Sequence, residues 1–540
     1  MRQILKKGLM LTALTTVLAG PSLAQTDQSV QLTEYRIESD DCTGCGAVII
    51  RNDLELRNYL NSVNSAIEAR RSANGVFVGP ANDGRGSSRR RSRESAQVVF
   101  LDFDAGGEPT FPVCNDDGTV FGVFLDHVYT PEERDEITAR IAADYADFDF
   151  KVVQEAPLDG EFTTIAFGQN DFPLDCSGGS NITVTATGGV SILFGMAEGI
   201  DFLNANRADN AFADASFWEF LSQLDPTGGT FEAFSGLSVA DFGGDLTAAV
   251  SAAVVNQSAN TGAHEAGHIQ GLRHQNSFGA PGDGIPDTGA ILPTDFVPIF
   301  DGPAEASETV LHTMASGASV GLSLEGSTIT DRFFSERSAV RLAVNEQTSP
   351  VEENDLGDDA RVILRKIRTP NTIIEGVNAD ARLRTFGAVV NGAIDELDEV
   401  DSFFFFGRKG DFFNAELVSV IGRDLSFEEG IIGQLNLFQI NRDGSETLVA
   451  SNFQSFEAVF DAEIFDAVLP GTGTYRLQVA APDEFFPFGD ETPFPLSVAG
   501  AADLLTGEYS VLMFTADKEL PRERRRVIAS VRTSGASSGR

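Results

Sequence analysis

Positive charge is scarce in this chain. Against 80 aspartates and glutamates stand only 39 lysines and arginines, for a net charge of −41. Nucleic-acid binding needs a basic footprint, so that class is excluded; a soluble surface that repels its neighbours is expected instead. Long apolar runs are also missing. No segment after the N-terminus holds eighteen consecutive apolar residues, so no stable membrane insertion is expected. No short-period repeat occurs, which excludes a solenoid. Cysteine is rare, at four, and histidine nearly as rare, at five. What remains is globular: 42% hydrophobic and 22% charged residues over 540 positions, enough for two or three domains.

The N-terminus has the build of a secretory signal. Arg2, Lys6 and Lys7 precede an apolar run from Gly8 to Leu18, and Ser22-Leu23-Ala24 stand before Gln25 as a small-x-small cleavage site. Residues 1–24 are therefore predicted to be removed near Ala24-Gln25, leaving a secreted, extracellular or periplasmic protein. Four cysteines suit such an oxidising compartment. The plain reading pairs Cys114 with Cys176 in one domain, although sequence alone does not fix the pairing.

Residues 25–95 form a separate segment. Leu54, Leu56, Leu60, Val63 and Ile67 have helical spacing over 53–71. A Gly/Ser linker with Arg89, Arg90, Arg91 and Arg93 follows. It reads either as the nicking site between a propeptide and a mature enzyme or as an ordinary linker.

From 96 to 348 strands and helices alternate, the pattern of an α/β or α+β domain. VVFLDFDAGG (98–107) predicts a buried strand. Thr130 as cap, Pro131 at the first position and Glu132-Glu133 in the first turn predict a helix with Ile137, Ile141, Ala142 and Tyr145 on one face. FKVVQEAP and FTTIAFG predict two more strands, with NITVTATGG and VSILFGMAEGI as further strands of the same sheet. A helix is expected over 246–273, with Asn256 to Gly262 as a stretch able to interrupt it. From 349 to 517 alternation and turns predict an all-β sandwich with Phe403 to Phe406, Phe412 and Phe413 in its core. Residues 518–540 read as a flexible tail.

Three of the five histidines fall within HEAGHIQGLRH, residues 264–274. At this composition the pattern is expected on the order of a few times per million such chains, so chance does not account for it. His264 and His268 stand one helical turn apart and face the same way, as two ligands of one zinc ion do. On a straight helix His274 would lie about 15 Å from His264 along the axis. Gly271 removes that obstacle, because glycine can take a positive φ, end the helix and let His274 return under the ion. Three neutral histidines leave one position open, the mark of a catalytic zinc. Glu265 is placed to take a proton from the attacking water and pass it to a leaving amine. His127 and His312 read as ordinary histidines rather than ligands.

HEAGHIQGLRH resembles the metzincin zinc-peptidase motif, and HTMASG (312–317) resembles that family's Met-turn. DRFFSERSAVRLAVNE resembles its closing helix. The resemblance covers 98–345 and implies a zinc metalloendopeptidase with a twisted sheet and an active-site helix. His264, His268 and His274 would hold one zinc ion, Glu265 would be the base and Met314 the apolar floor. Gln275 follows His274 and matches no subfamily marker. Ser316 stands where the astacin and serralysin branches carry a tyrosine, so no tyrosine is assigned a role. The acidic stretch between His274 and Met314 reads as a solvated loop, or as a calcium site through Asp283, Asp287 and Asp295. Cys42 and Cys45 read as a local disulfide, or as a source of the latency thiolate some metzincin propeptides use. The strands from 354 to 516, with LNLFQINRDG and LPGTGTYRLQV, resemble the bacterial pre-peptidase C-terminal domain, which implies a module binding a surface or polymer. The expected partner of the whole is a protein or peptide substrate. Two rival readings stand: an adhesion protein in which the sandwich is the functional part, and a zinc hydrolase of non-peptide amides.

Overall fold

The computed structural model describes the strand 35–38, most of 96–277, residues 312–315, and most of 332–369, 382–418, 431–452, 462–481 and 506–519. The signal segment, the helix expected at 53–71, the basic linker, Cys42, Cys45, Asp283, Asp287, Asp295, Ser316 and nearly all of the tail lie outside the described residues. The chain forms two compact units. One takes residues up to 198, 206–269 and 315–333, and the other takes 199–205, 270–314 and the chain from 334 onward.

The first unit holds two five-stranded sheets. One joins β1 (Tyr35–Glu38), β3 (Thr110–Asn115), β4 (Val120–Leu125), β7 (Ile182–Val184) and β8 (Val190–Leu193), in the order β1-β8-β7-β3-β4. The other joins β2 (Gln97–Asp102), β5 (Phe150–Val153), β6 (Thr163–Phe167), β9 (Gly195–Ala197) and β10 (Asn210–Ala213), in the order β5-β2-β6-β10-β9. Its pairings are parallel except at the edge, where β9 runs antiparallel to β10. Contrary to the sequence expectation, the strands of NITVTATGG and VSILFGMAEGI do not all extend one sheet: β7 and β8 join the first, β9 the second, and the chain changes sheets at Phe194. Cys114 on β3 is disulfide-bonded to Cys176.

Helix α1 (Pro131–Asp144) opens as its sequence demands. The Thr130 side chain accepts from the Glu133 amide, the Glu133 carboxylate accepts from the Thr130 amide, and Pro131 fills the first position. Ile137 and Ile141 are fully buried. Helices α2 (Ser216–Leu224) and α3 (Gly229–Ser235) add Phe217, Trp218, Phe220 and Phe231 to an aromatic core. Helix α4 (Leu246–Ile269) runs unbroken through Asn256–Gly262. Two polar side chains there find partners outside the helix: Arg140 Nη2 donates to Asn256 Oδ1 at 3.0 Å, and Gln257 Nε2 donates to the Asp214 carbonyl at 2.8 Å. Buried amides with good partners do not interrupt a helix.

After residue 334 the second unit holds α5 (Glu336–Gln347), β11 (Val351–Glu352), β12 (Arg365–Ile367) and β13 (Arg382–Ile394). It continues through β14 (Val400–Gly407), β15 (Phe412–Val418), β16 (Gln434–Ile440), β17 (Glu446–Asn452), β18 (Glu463–Val468), β19 (Gly473–Ala480) and β20 (Gly507–Glu519). A six-stranded sheet, β11-β13-β20-β15-β18 with β12 on β13, faces a four-stranded one, β14-β19-β16-β17. Phe403, Phe405, Phe413, Leu437, Tyr475 and Met513 lie in the core between them. The phenylalanine run follows the two-residue period of a strand, so Phe403 and Phe405 point inward while Phe406 is 63% exposed. The other face of the larger sheet is also apolar: Val389, Leu512 and Phe514 pack against Val340, Ala343 and Val344 of α5 and against Phe202. Among the described residues no helix is long and apolar enough to cross a membrane.

Candidate metal centre

Helix α4 carries His264 and His268 on consecutive turns, with their Nε2 atoms 3.1 Å apart and their rings nearly perpendicular. The helix stops at Ile269, four residues short of the end expected from the sequence. Gly271 then takes φ +80. A side chain there would also come 3.0 Å from the Asp201 carbonyl oxygen and 3.2 Å from Phe202 Cα, so both conformation and space require glycine. The chain re-forms a single 3-10 turn over His274–Ser277. One ring nitrogen from each of His264, His268 and His274 lies within 4.8 Å of the others. Among the described residues no other histidine, cysteine or carboxylate group gathers in this way.

The donor set fits zinc. Tetrahedral zinc with nitrogen ligands at 2.0–2.1 Å places neighbouring nitrogens about 3.3 Å apart, close to the spacing of the two α4 histidines. All three rings are buried, at 3%, 1% and 3% exposure.

Glu265 follows His264 and is fully buried. Against it lies Gly195, the first residue of edge strand β9. The backbone around Glu265 is tied down too, because Tyr145, the residue that ends α1, donates its hydroxyl to the Ala263 carbonyl at 2.9 Å. Burial pushes the Tyr145 hydroxyl well above its ordinary pKa, and the nearby Asp144 and Glu265 carboxylates add to the shift. Tyr145 therefore stays a neutral donor.

Met314 is fully buried in a turn following His312. His312 Nδ1 donates to the Ser277 carbonyl at 2.6 Å, which ties this segment to the last residue of the His274 turn. Its sequence neighbours gave no sign of that partner. His127 holds two carboxylates instead of joining the triad, with Nδ1 2.9 Å from Glu219 and Nε2 3.2 Å from Glu133. Burial pulls its pKa down, but the hydrogen bonds and charges of Glu133 and Glu219 outweigh that and raise it to about 9.

Neither protein-family models nor the curated proteins give a match. Among solved structures, the chain has a weak likeness to the pre-peptidase C-terminal domain of a collagenase from Bacillus anthracis. That match has 12% identity and a TM-score of 0.14, and covers 23% of this chain and 84% of that one. A protein of Sulfurospirillum deleyianum matches at 11% identity and a TM-score of 0.15, covering 24% and 98%. At such scores neither likeness extends to function.

Proposed function

We propose that this chain is an exported zinc-dependent endopeptidase of metzincin type. The observation that carries the reading is the convergence of His264, His268 and His274, with Glu265 buried on the helix that carries the first two. His264, His268 and His274 would hold the ion through ring nitrogens. A bound zinc supplies Lewis acidity toward a carbonyl oxygen and makes water a nucleophile near neutral pH.

The chain's own residues do the rest. The Glu265 carboxylate accepts the proton of the attacking water, and the same oxygen returns it to the departing amine nitrogen as the C–N bond breaks. Burial strengthens the field of that carboxylate and keeps competing water away. Strand β9 ends its sheet, and Gly195 brings that edge against Glu265. An extended peptide pairing along β9 would be held by backbone hydrogen bonds with its scissile bond near the carboxylate. The basic start and cleavage site at the N-terminus, together with the Cys114–Cys176 bridge, support export.

The test is cleavage of an unstructured protein such as casein by the purified protein. Chelator should abolish cleavage and added zinc restore it. Cleavage that persists without metal, or a metal-loaded protein that cuts no protein substrate, would overturn the reading.

A further inference from the structure

Two buried carboxylates of the β-sandwich stand side by side. Glu416 on β15 and Glu463 on β18 are direct register partners, and each is only 7% exposed. Like charges directly opposite one another destabilise a sheet unless each has a partner. Their partners show what the pair holds. Glu416 Oε1 lies 3.0 Å from Arg273 Nε, a charge contact off the hydrogen-bond axis, and Glu416 Oε2 lies 2.9 Å from Arg341 Nη2 of α5. Glu463 Oε2 accepts from Gln275 Nε2 at 2.7 Å. Arg273 and Gln275 are the residues on either side of His274.

The rest of this segment is fastened just as tightly. Asn276 Oδ1 accepts from the Arg273 amide at 2.7 Å. The Asn276 carbonyl accepts from the hydroxyls of Ser335 and Ser338. Arg341 Nε donates to the Gly271 carbonyl at 3.3 Å, and Asn345 Nδ2 to the Gln270 carbonyl at 2.7 Å. A turn of one 3-10 coil has little stability of its own, so its geometry is set by these contacts.

We infer that the β-sandwich is the mounting of the third metal ligand, with Glu416 and Glu463 acting through Arg273 and Gln275 as positioning residues for His274. This rests on the reading of the three histidines as a metal site. The sandwich then orients His274, in addition to anything it binds. Outer groups that orient metal ligands typically carry 10–100-fold in affinity.

The test uses the full chain, with zinc affinity measured by chelator competition and the ligand field read from the visible absorption of the cobalt-substituted protein. His274→Ala supplies the reference for loss of the third ligand. Glu463→Ala and Gln275→Leu should each weaken zinc binding by at least about tenfold and move the cobalt spectrum toward that of His274→Ala. Combining them should cost no more than either alone. Glu463→Gln keeps an acceptor for Gln275 and should restore both readouts. Asp466→Asn breaks a different buried pair of the same sheet, the 2.7 Å contact to Arg337, and should leave the cobalt spectrum unchanged. Folded Glu463→Ala and Gln275→Leu proteins with wild-type affinity and spectrum would overturn the inference and leave the metal site standing. A wild-type protein that binds neither ion would overturn both.

Discussion

Gly195 lies so close to Glu265 that a Cβ built on it would stand 2.4 Å from Oε1 and 2.6 Å from the Thr261 methyl. Strand geometry alone does not demand glycine here. The carboxylate does. Gly195→Ala should push Glu265 off its position while leaving the three histidines in place. Displacements near 1 Å can cost about 100-fold in rate, so turnover should fall by that order with zinc content unchanged. Parallel measurement of turnover and bound zinc checks this; equal loss of both would place the effect in folding.

Gly271→Ala should act differently. The substitution meets a left-handed backbone, which costs roughly 1–2 kcal/mol for a residue with a Cβ. It also meets two backbone neighbours that cannot rotate away. Stability and zinc affinity should fall together, because the turn that returns His274 is the feature disturbed. Denaturant unfolding and chelator competition on one preparation measure both.

The His127 cluster sets a pH dependence. The folded pKa of about 9 exceeds the ordinary value of 6.5, so the folded state binds this proton more tightly. The stability it contributes is complete below pH 6.5 and is lost as pH rises through 9. The shift bounds the effect at roughly 3 kcal/mol. Glu133 is the converse case. Burial raises its pKa, but His127, Ser251 and the Thr130 amide outweigh this and hold it at about 2. Its contribution is present above about pH 4.5 and lost as pH falls through 2. The two values describe one shared interaction and do not add. Melting temperature should therefore decline between pH 6.5 and 9, and His127→Gln should remove most of that slope.

Metal removal should destabilise the protein, because an ion that binds only the folded chain adds about 2.7 kcal/mol at 100 times its dissociation constant. Chelator should lower the melting temperature of the wild type and leave that of His268→Ala nearly unmoved. Differential scanning calorimetry reads the difference.

Much of this was legible in the sequence because it is local. The Thr130 cap with Pro131 and Glu133, the helical pair His264 and His268, and the break at Gly271 each depend on residues a few positions apart. Long-range pairing was less visible. The polar run from Asn256 to Gly262 resembled an interruption because its partners, Arg140 and Asp214, lie more than forty residues away. Nothing in the sequence of the closing helix marks Arg337 and Arg341 as buried. They are buried because Asp466 and Glu416 come to meet them from strands more than seventy residues away. Gln275 matched no marker beside the histidine motif, and its role became visible only with Glu463 in place. The single apolar run around Phe194 gave no sign of dividing between two sheets, since either sheet buries such residues equally well.

In the proposed reaction a metal held by His264, His268 and His274 works with Glu265. The most direct measurement compares Glu265→Gln with the wild type for bound zinc and protein cleavage in the same samples. We expect one zinc per chain in both and a loss of turnover of roughly 10²–10⁴-fold in the variant. Full activity in a zinc-loaded Glu265→Gln protein would contradict the account.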